Sequence, residues 1–273
     1  QVIIQDSQVI DSAYYSNDDA GLCVADSRVV VSDTLFTGIG DDPAQIDFPV
    51  RINGPTSEVS LSGLELVGNR YNRVFLDKGA MTGHDFTLAA QPVMDGYEMY
   101  DGADGGNFVV PAGITMTVEP GVMVMNNWDI NQTLVVQGHL EAAGTEAEPI
   151  VFTSQWDSGP EQWRGITFDG GTCRLRHTIV RYAGRSCSGC QGTTSAAIAA
   201  FGVQAGTVTI ETSQVIGSAY HSNNDHGLHL VDSRAVVSDT LFTAVGDNVA
   251  QDEAAIHLSG NSSLTLSSSA VER

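Results

Sequence analysis

Short apolar stretches with a period of two residues recur along the whole chain. In VVSDTLFTAVG, which starts at Val236, and in SLSGLELVGN, which starts at Ser60, apolar residues stand two apart before a polar pair. Apolar residues then resume, and a small residue ends each phrase. Alternation of this kind, broken by turn residues, predicts short β-strands, and no segment has helical periodicity over more than about two turns.

These phrases return at a nearly constant spacing. Six equivalent apolar positions lie 27 to 30 residues apart in two series: Ile4, Val31 and Leu61, then Ile210, Val237 and Leu266. A recurrence of about 28 residues predicts a chain that coils on itself, with each strand paired in parallel with its equivalent in the next coil. The pattern therefore predicts an all-β fold, a parallel β-helix or solenoid with about 28 residues per coil.

A second, longer repeat lies over the first. Residues 207–251 match residues 1–45 without a gap, with 29 identities in 45 positions, including SDTLFT at both Ser32 and Ser238. We therefore expect one continuous solenoid over 1–273, in which 1–206 is one repeat unit and 207–273 begins a second. About seven coils at roughly 4.8 Å each would make one unit about 34 Å long.

Four consecutive segments carry a resemblance to a known family. They are VPAGITMTVEPGVMV from Val110, LVVQGHLEAAGTEAEPIVFTS from Leu134, EQWRGITFDGG from Glu161 and LRHTIVRYAG from Leu175. This succession resembles the right-handed parallel β-helix repeat proteins of bacterial surfaces, which share the pectin-lyase-like fold. The resemblance implies a right-handed solenoid but no single function, because that group includes surface proteins, adhesive proteins and enzymes.

The enzymes of that fold are polysaccharide lyases and hydrolases, which use calcium-binding acidic residues with a base, or clustered aspartates. No spacing of arginines with aspartates here matches such a motif, and Gly83-His84-Asp85 is an isolated short match. We therefore predict that the protein is not an enzyme and name no catalytic residue. A polysaccharide-active enzyme is the third hypothesis.

Charge and hydropathy argue against two classes of partner, nucleic acid and the membrane interior. The formal net charge is −21, with 33 acidic residues against 12 basic ones, and such a surface repels nucleic acid. No window of 18 apolar residues is present, so we expect no membrane insertion.

The four cysteines suggest a disulfide. Cys187 and Cys190 form a CSGC motif, and we take these two with Cys173 as the disulfide candidates. Free thiols, or a zinc site completed by Cys173 and His177, are the alternatives. A disulfide is typical of oxidising surroundings, which favours an extracellular or cell-surface location.

Two segments contain residues that bind metals. Asp101 and Asp104, in an Asp- and Gly-rich loop, are the candidate calcium ligands, although such residues also form turns. No cofactor is required by the sequence, and calcium is the one we consider.

The segment HSNNDHGLH contains His221, Asp225, His226 and His229, but its counterpart YSNDDAGLC lacks histidine. A metal site shared by every unit is therefore excluded, and loop variation is the alternative.

Two tryptophans near a loop, Trp156 and Trp163, are candidates for stacking on extracellular glycans.

Nothing at Gln1 or Arg273 resembles the cap that a solenoid end needs. We therefore expect the protein to associate with itself, through head-to-tail or tandem units, as a structural protein of an extracellular filament or surface fibre. A monomeric adhesin or carbohydrate-binding rod is the alternative.

Overall fold

A computed structural model describes residues 1–12, 19–40, 47–100, 106–126, 132–185, 195–218, 225–245 and 254–272. These residues form strands and turns, and they contain no helix that could cross a membrane. In chain order the strands are β1 (Val2–Gln5), β2 (Gln8–Ile10), β3 (Ala20–Ala25), β4 (Arg28–Ser32), β5 (Leu35–Thr37), β6 (Phe48–Asn53), β7 (Glu58–Ser62), β8 (Glu65–Leu66), β9 (Arg73–Asp77), β10 (Phe86–Leu88), β11 (Gly96–Tyr100), β12 (Phe108–Val110), β13 (Thr115–Val118), β14 (Met123–Asn126), β15 (Leu134–Val136), β16 (His139–Ala143), β17 (Ile150–Ser154), β18 (Ile166–Asp169), β19 (Thr172–Arg176), β20 (Thr178–Arg181), β21 (Ala196–Phe201), β22 (Val208–Glu211), β23 (Gln214–Ser218), β24 (His226–Val231), β25 (Arg234–Ser238), β26 (Leu241–Val245), β27 (Ala254–Ser259), β28 (Ser263–Ser267) and β29 (Ala270–Glu272).

Parallel pairing between successive coils builds the molecule. The two short sheets are β1-β4-β7 and β2-β5-β8, and the three long ones are β10-β13-β16-β19-β22-β25-β28, β12-β15-β18-β21-β24-β27 and β3-β6-β9-β11-β14-β17-β20-β23-β26-β29. In the ten-stranded sheet, Val124 pairs with Phe152 and Phe152 pairs with Val180, so each of these two steps advances by one coil of 28 residues. The predicted all-β parallel solenoid of about 28 residues per coil is confirmed.

Inward-facing apolar side chains fill the space between the sheets. In β13, Met116 and Val118 are buried and alternate with half-buried threonines, as the period of two predicts. One continuous apolar cluster runs from Val24 in β3 to Phe242 in β26. Complete burial of each large side chain contributes about 1.5–3 kcal/mol, so the stack of coils creates a core that one coil lacks.

Acidic residues recur at the turns between strands. Oδ1 of Asp26 accepts a hydrogen bond from the backbone N–H of Thr56 at 3.1 Å, one coil further along. In the second copy, Oδ1 of Asp232 accepts one from the backbone N–H of Asn261 at 2.8 Å. Both aspartates have positive φ, 43° and 47°, a conformation that aspartate tolerates better than most residues. These carboxylates therefore connect the turns of successive coils.

The repeat unit is rotated about the solenoid axis. By sequence, strands β1 to β8 correspond to β22 to β29. Strands β3 and β6 lie in the ten-stranded sheet, but their equivalents β24 and β27 lie in the six-stranded sheet. The ten-stranded sheet instead receives β23, β26 and β29, the equivalents of β2, β5 and β8. Each strand of the second copy thus lies one face away from its equivalent in the first.

The change of face occurs between β9 and β11. Val74 of β9 pairs with Tyr97 of β11, an advance of only 23 residues. On the neighbouring side, no ladder joins β7 to β10 among the described residues, and a cleft of about 490 Å³ lies between them. A short coil and an open seam therefore separate the two parts of the solenoid.

Candidate functional sites: two open ends and a histidine cluster

The first strands of the solenoid form an exposed surface, which we call the N-terminal end surface (β1 and β2). Among the described residues, β1 pairs only with β4 and β2 pairs only with β5. Each strand therefore has one edge without a ladder partner. Val2 and Ile10 on these strands are more than half exposed, so the surface combines open backbone edges with apolar side chains.

The last strands form the corresponding C-terminal end surface (β28 and β29). Among the described residues, β28 pairs only with β25 and β29 pairs only with β26. Leu266 on β28 is 50% exposed and Val271 on β29 is 62% exposed. Leu266 pairs with the fully buried Val237, so Leu266 occupies a core position that no later coil covers in the described chain.

The internal repeat allows the exposure of each end residue to be compared with that of an equivalent residue inside the stack. Val2 is 54% exposed, whereas its equivalent Val208, which has a coil on each side, is fully buried. In the same way Leu66 is 1% exposed, whereas its equivalent Val271 is 62% exposed. The end surfaces therefore have the same kind of sequence as buried positions inside the solenoid, and they are exposed because the described chain has a coil on one side of them only.

A cluster of three histidines, which we call the histidine cluster, lies on β24 and β27. It consists of His226, His229 and His257, each with one ring nitrogen within 4.8 Å of those of the other two. Nε2 of His226 lies 2.9 Å from Nδ1 of His257. The rings of His229 and His257 stack at 4.7 Å between centroids, because these two residues are register partners in adjacent strands.

The two histidines of β24 are buried, and that of β27 is exposed. Burial, together with the neighbouring His257, lowers the pKa of His226 to about 4. Burial and both neighbouring rings lower the pKa of His229 to about 4 as well. Both rings are therefore neutral near pH 7, and a neutral imidazole has one N–H and one nitrogen with a lone pair.

The sequence pattern identified only part of this cluster. His226 and His229 belong to the HSNNDHGLH segment, and the structure brings them together. Asp225 is buried but is not a member of the cluster, and His221 lies outside the described residues. The third member, His257, was missed because the next coil supplies it. Its distance of 28 residues from His229, one coil length, is the signal that would have found it.

The first copy has a different chemistry at the same place. Its residues equivalent to His226, His229 and His257 are Ala20, Cys23 and Arg51. There the Arg51 guanidinium donates hydrogen bonds to both carboxylate oxygens of Asp77 in the next coil, at 2.9 to 3.1 Å. Arg51 also lies over the ring of Phe48, 4.8 Å from its centroid. Both copies therefore have side-chain contacts between coils here, but Arg51 and Asp77 join β6 to β9 in the ten-stranded sheet, whereas the histidine cluster joins β24 to β27 in the six-stranded sheet.

The structure describes one of the three disulfide candidates. Cys173 is a free, buried thiol in β19, and its Sγ lies 3.8 Å from the carbonyl oxygen of Thr209. Burial raises the pKa of the Cys173 thiol, which disfavours both disulfide exchange and metal binding. The structure therefore does not place Cys173 in a disulfide, because this side chain points into the core. Cys187 and Cys190 lie outside the described residues, and their disulfide stays a prediction.

The two candidate tryptophans lie in different environments. Trp163 is fully buried, and its Nε1 donates a hydrogen bond to the carbonyl oxygen of Arg181 at 2.9 Å. A ring that fills the core cannot stack on a sugar, so Trp163 is removed from the glycan-stacking prediction. Trp156 is exposed. Asp101 and Asp104, the candidate calcium ligands, lie outside the described residues.

Comparison with known proteins finds no match. No protein-family model, no curated protein and no solved structure matches this chain. Its function is therefore argued from its own geometry.

Proposed function

We propose that this protein is a structural component of an extracellular filament or surface fibre, in which β-solenoid units follow one another along a single axis. One observation carries the proposal: equivalent positions such as Val2 and Val208 are exposed at an end surface and buried inside the stack. Further coils, supplied by the same polypeptide or by another copy, would bury the exposed residues. Both arrangements lengthen the solenoid.

Burial and backbone pairing supply the driving force for such growth. Full burial of an exposed valine or leucine contributes about 1.5–3 kcal/mol, and the apolar side chains of the end surfaces are about half exposed, so covering each contributes about half of that. A new coil also supplies ladder partners for backbone groups that otherwise face water. Because the two end surfaces are different, the contact is head-to-tail and does not close, and contacts of this type generate filaments.

The rotation of the repeat predicts the symmetry of the fibre. The ten-stranded sheet takes seven steps from β3 to β23, and β24, the equivalent of β3, follows one face later. One unit of the repeat therefore advances by about seven and a third coils, or about 35 Å at roughly 4.8 Å per coil. A fibre that continues this repeat returns to the same orientation after three units, at about 105 Å.

Electron microscopy of the undenatured protein tests the proposal. We expect long, unbranched fibres of uniform width with layer spacing near 4.8 Å and, where the 206-residue unit repeats along the fibre, an axial repeat near 105 Å. A full repeat near 35 Å would contradict the inferred rotation but not the fibre. Short rods that stay separate at all concentrations would contradict the fibre itself.

A monomeric adhesin or carbohydrate-binding rod is the second candidate function. The exposed indole of Trp156 supports it, because such a ring can stack on a sugar. Glycan binding would quench the fluorescence of Trp156, and the variant Trp156→Ala would lose both the quenching and the binding. Retention of binding in that variant would contradict this candidate.

A further inference from the structure

We propose that His226, His229 and His257 form a binding site for a divalent transition-metal ion, with zinc as the best-suited ion, that joins two consecutive coils of the solenoid. The proposal rests on the histidine cluster alone and does not depend on whether the protein forms fibres. Three imidazoles from two neighbouring strands meet at one place, and imidazole is a preferred ligand of zinc, copper and nickel.

The positions of the rings fit an ion after a small movement. Zinc binds imidazole nitrogens at about 2.0–2.1 Å in tetrahedral geometry, which places the ligand nitrogens roughly 3.4 Å apart. The nitrogens of the cluster lie within 4.8 Å of one another, and Nε2 of His226 and Nδ1 of His257 form a hydrogen bond of 2.9 Å that the ion would replace. The stacked ring of His257 has to tilt, and it can do so because it is exposed.

The environment of His229 indicates which of its nitrogens is available. Its Nε2 lies 3.3 Å from Oγ of Ser259, the last residue of β27. Its Nδ1 is buried and has no hydrogen-bond partner among the described residues. A ring that donates Nε2–H to Ser259 keeps the lone pair on Nδ1, and a second partner of this kind typically orients a histidine ligand. The buried nitrogen without a partner is a second, independent indication of a missing ligand.

Access from solvent also suits an ion. The exposed His257 provides access from solvent and leaves room for water as a fourth ligand.

The site would be specific to one copy of the repeat. In the first copy Arg51 of β6 pairs with Asp77 of β9, and this contact needs no ion. The second copy has His257 at the position of Arg51. A metal ion in the histidine cluster would connect β24 to β27, whereas the first-copy equivalents β3 and β6 have Ala20 and Cys23 at the positions of His226 and His229.

The binding of zinc to the untagged, full-length chain tests the inference. The protein is first freed of metal with a chelator, and then titrated with Zn²⁺ by calorimetry in a large excess of Mg²⁺ and Ca²⁺. The excess masks non-specific binding to a chain of net charge −21. We expect one equivalent with a dissociation constant of about 1 µM or lower, and a higher melting temperature with zinc than without it. Co²⁺ in place of Zn²⁺ should give the visible absorption bands of tetrahedral coordination.

Three variants locate the ion. His257→Ala removes an exposed ligand, and His229→Gln removes a buried ligand while it keeps most of the side-chain volume. Each should weaken zinc binding by at least about tenfold and abolish the rise in melting temperature. His84→Ala, a histidine far from the cluster in sequence, is the matched control and should bind like the natural chain. Absence of stoichiometric binding, or equal binding by all variants, would overturn the proposal.

Discussion

Gly38 in the first copy of the repeat lies directly against Asp11 of the preceding coil. A Cβ atom placed on Gly38 would lie 2.2 Å from Oδ1 of Asp11, and Gly38 has a φ of +68°. In the second copy the equivalent pair is Ala244 and Gly217, and Ala244 has a φ of +50°. In the first copy the earlier coil supplies the larger residue, Asp11, and in the second copy the later coil supplies it, Ala244. The turn residue has a positive φ in both copies.

This exchange predicts a coupled effect on stability. Gly38→Ala should lower the free energy of unfolding by about 2 kcal/mol, because alanine is strained at positive φ and its Cβ meets the Asp11 side chain. Adding Asp11→Gly, which reproduces the pair of the second copy, should recover about half of that loss. The measurement is urea unfolding of the natural chain, both single variants and the double variant. Strictly additive effects would show that the two residues do not interact.

Periodicity made the fold predictable, because a solenoid repeats one local rule. Each coil has the same inward positions, so phrases such as those at Val31 and Val237 predict strands with buried residues. Every strand pairs with a neighbour only 23 to 35 residues away, so no pairing joins distant parts of the chain.

The rotation of the repeat was not predictable from these phrases. It depends on coil lengths that vary from 23 residues between Val74 and Tyr97 to 35 between Val180 and Val215, and turns between the strands set these lengths. The buried position of Trp163 was missed for a similar reason. Its neighbours in sequence are polar and suggest a loop, but its indole N–H reaches the carbonyl of Arg181 in another coil. A strand has a local sequence pattern that predicts it, but a side-chain contact between two coils has none.

The ion pair between Arg51 and Asp77 should stabilise the first copy. Its side chains are mostly buried, and it includes hydrogen bonds from two guanidinium nitrogens. Asp77→Ala should therefore lower the free energy of unfolding by about 2–4 kcal/mol, because it leaves a charge of Arg51 in a mostly buried place.

A second ion pair provides the control for this prediction. Arg28 and Glu58 also join two coils, at 3.2 Å, but both side chains are more than half exposed. Glu58→Ala should cost less than about 1 kcal/mol, because water screens exposed pairs. Chemical unfolding of both variants makes the comparison. Similar losses would mean that burial does not determine the strength of these contacts.

The cysteines should differ sharply in reactivity. Cys23 is exposed and Cys173 is buried, and burial raises the pKa of the Cys173 thiol. In the folded protein a thiol reagent such as Ellman's reagent should therefore label Cys23 rapidly and leave Cys173 unlabelled. Rapid labelling of Cys173 would contradict its position in the core.

The same reagent tests the predicted disulfide. After unfolding without a reductant, a chain with a bridge between Cys187 and Cys190 exposes two thiols of its four cysteines, and a fully reduced chain exposes four. Cys23→Ser and Cys173→Ser identify the two labelled thiols. A count of four in protein purified from an oxidising compartment would contradict the disulfide.

The end surfaces give the most direct test of how the protein assembles. Leu266 and Val236 lie on adjacent strands of the seven-stranded sheet, and both are exposed. Leu266 occupies an inward position that only a further coil would cover, whereas Val236 faces outward from the middle of the stack. Lysine at either position should leave the fold intact. Leu266→Lys should weaken end-to-end assembly by at least about 100-fold, since a new coil would bury an unpaired charge, whereas Val236→Lys should assemble normally. Sedimentation of both variants over a range of concentrations distinguishes them, and equal assembly would mean that the contact lies on the sides of the solenoid.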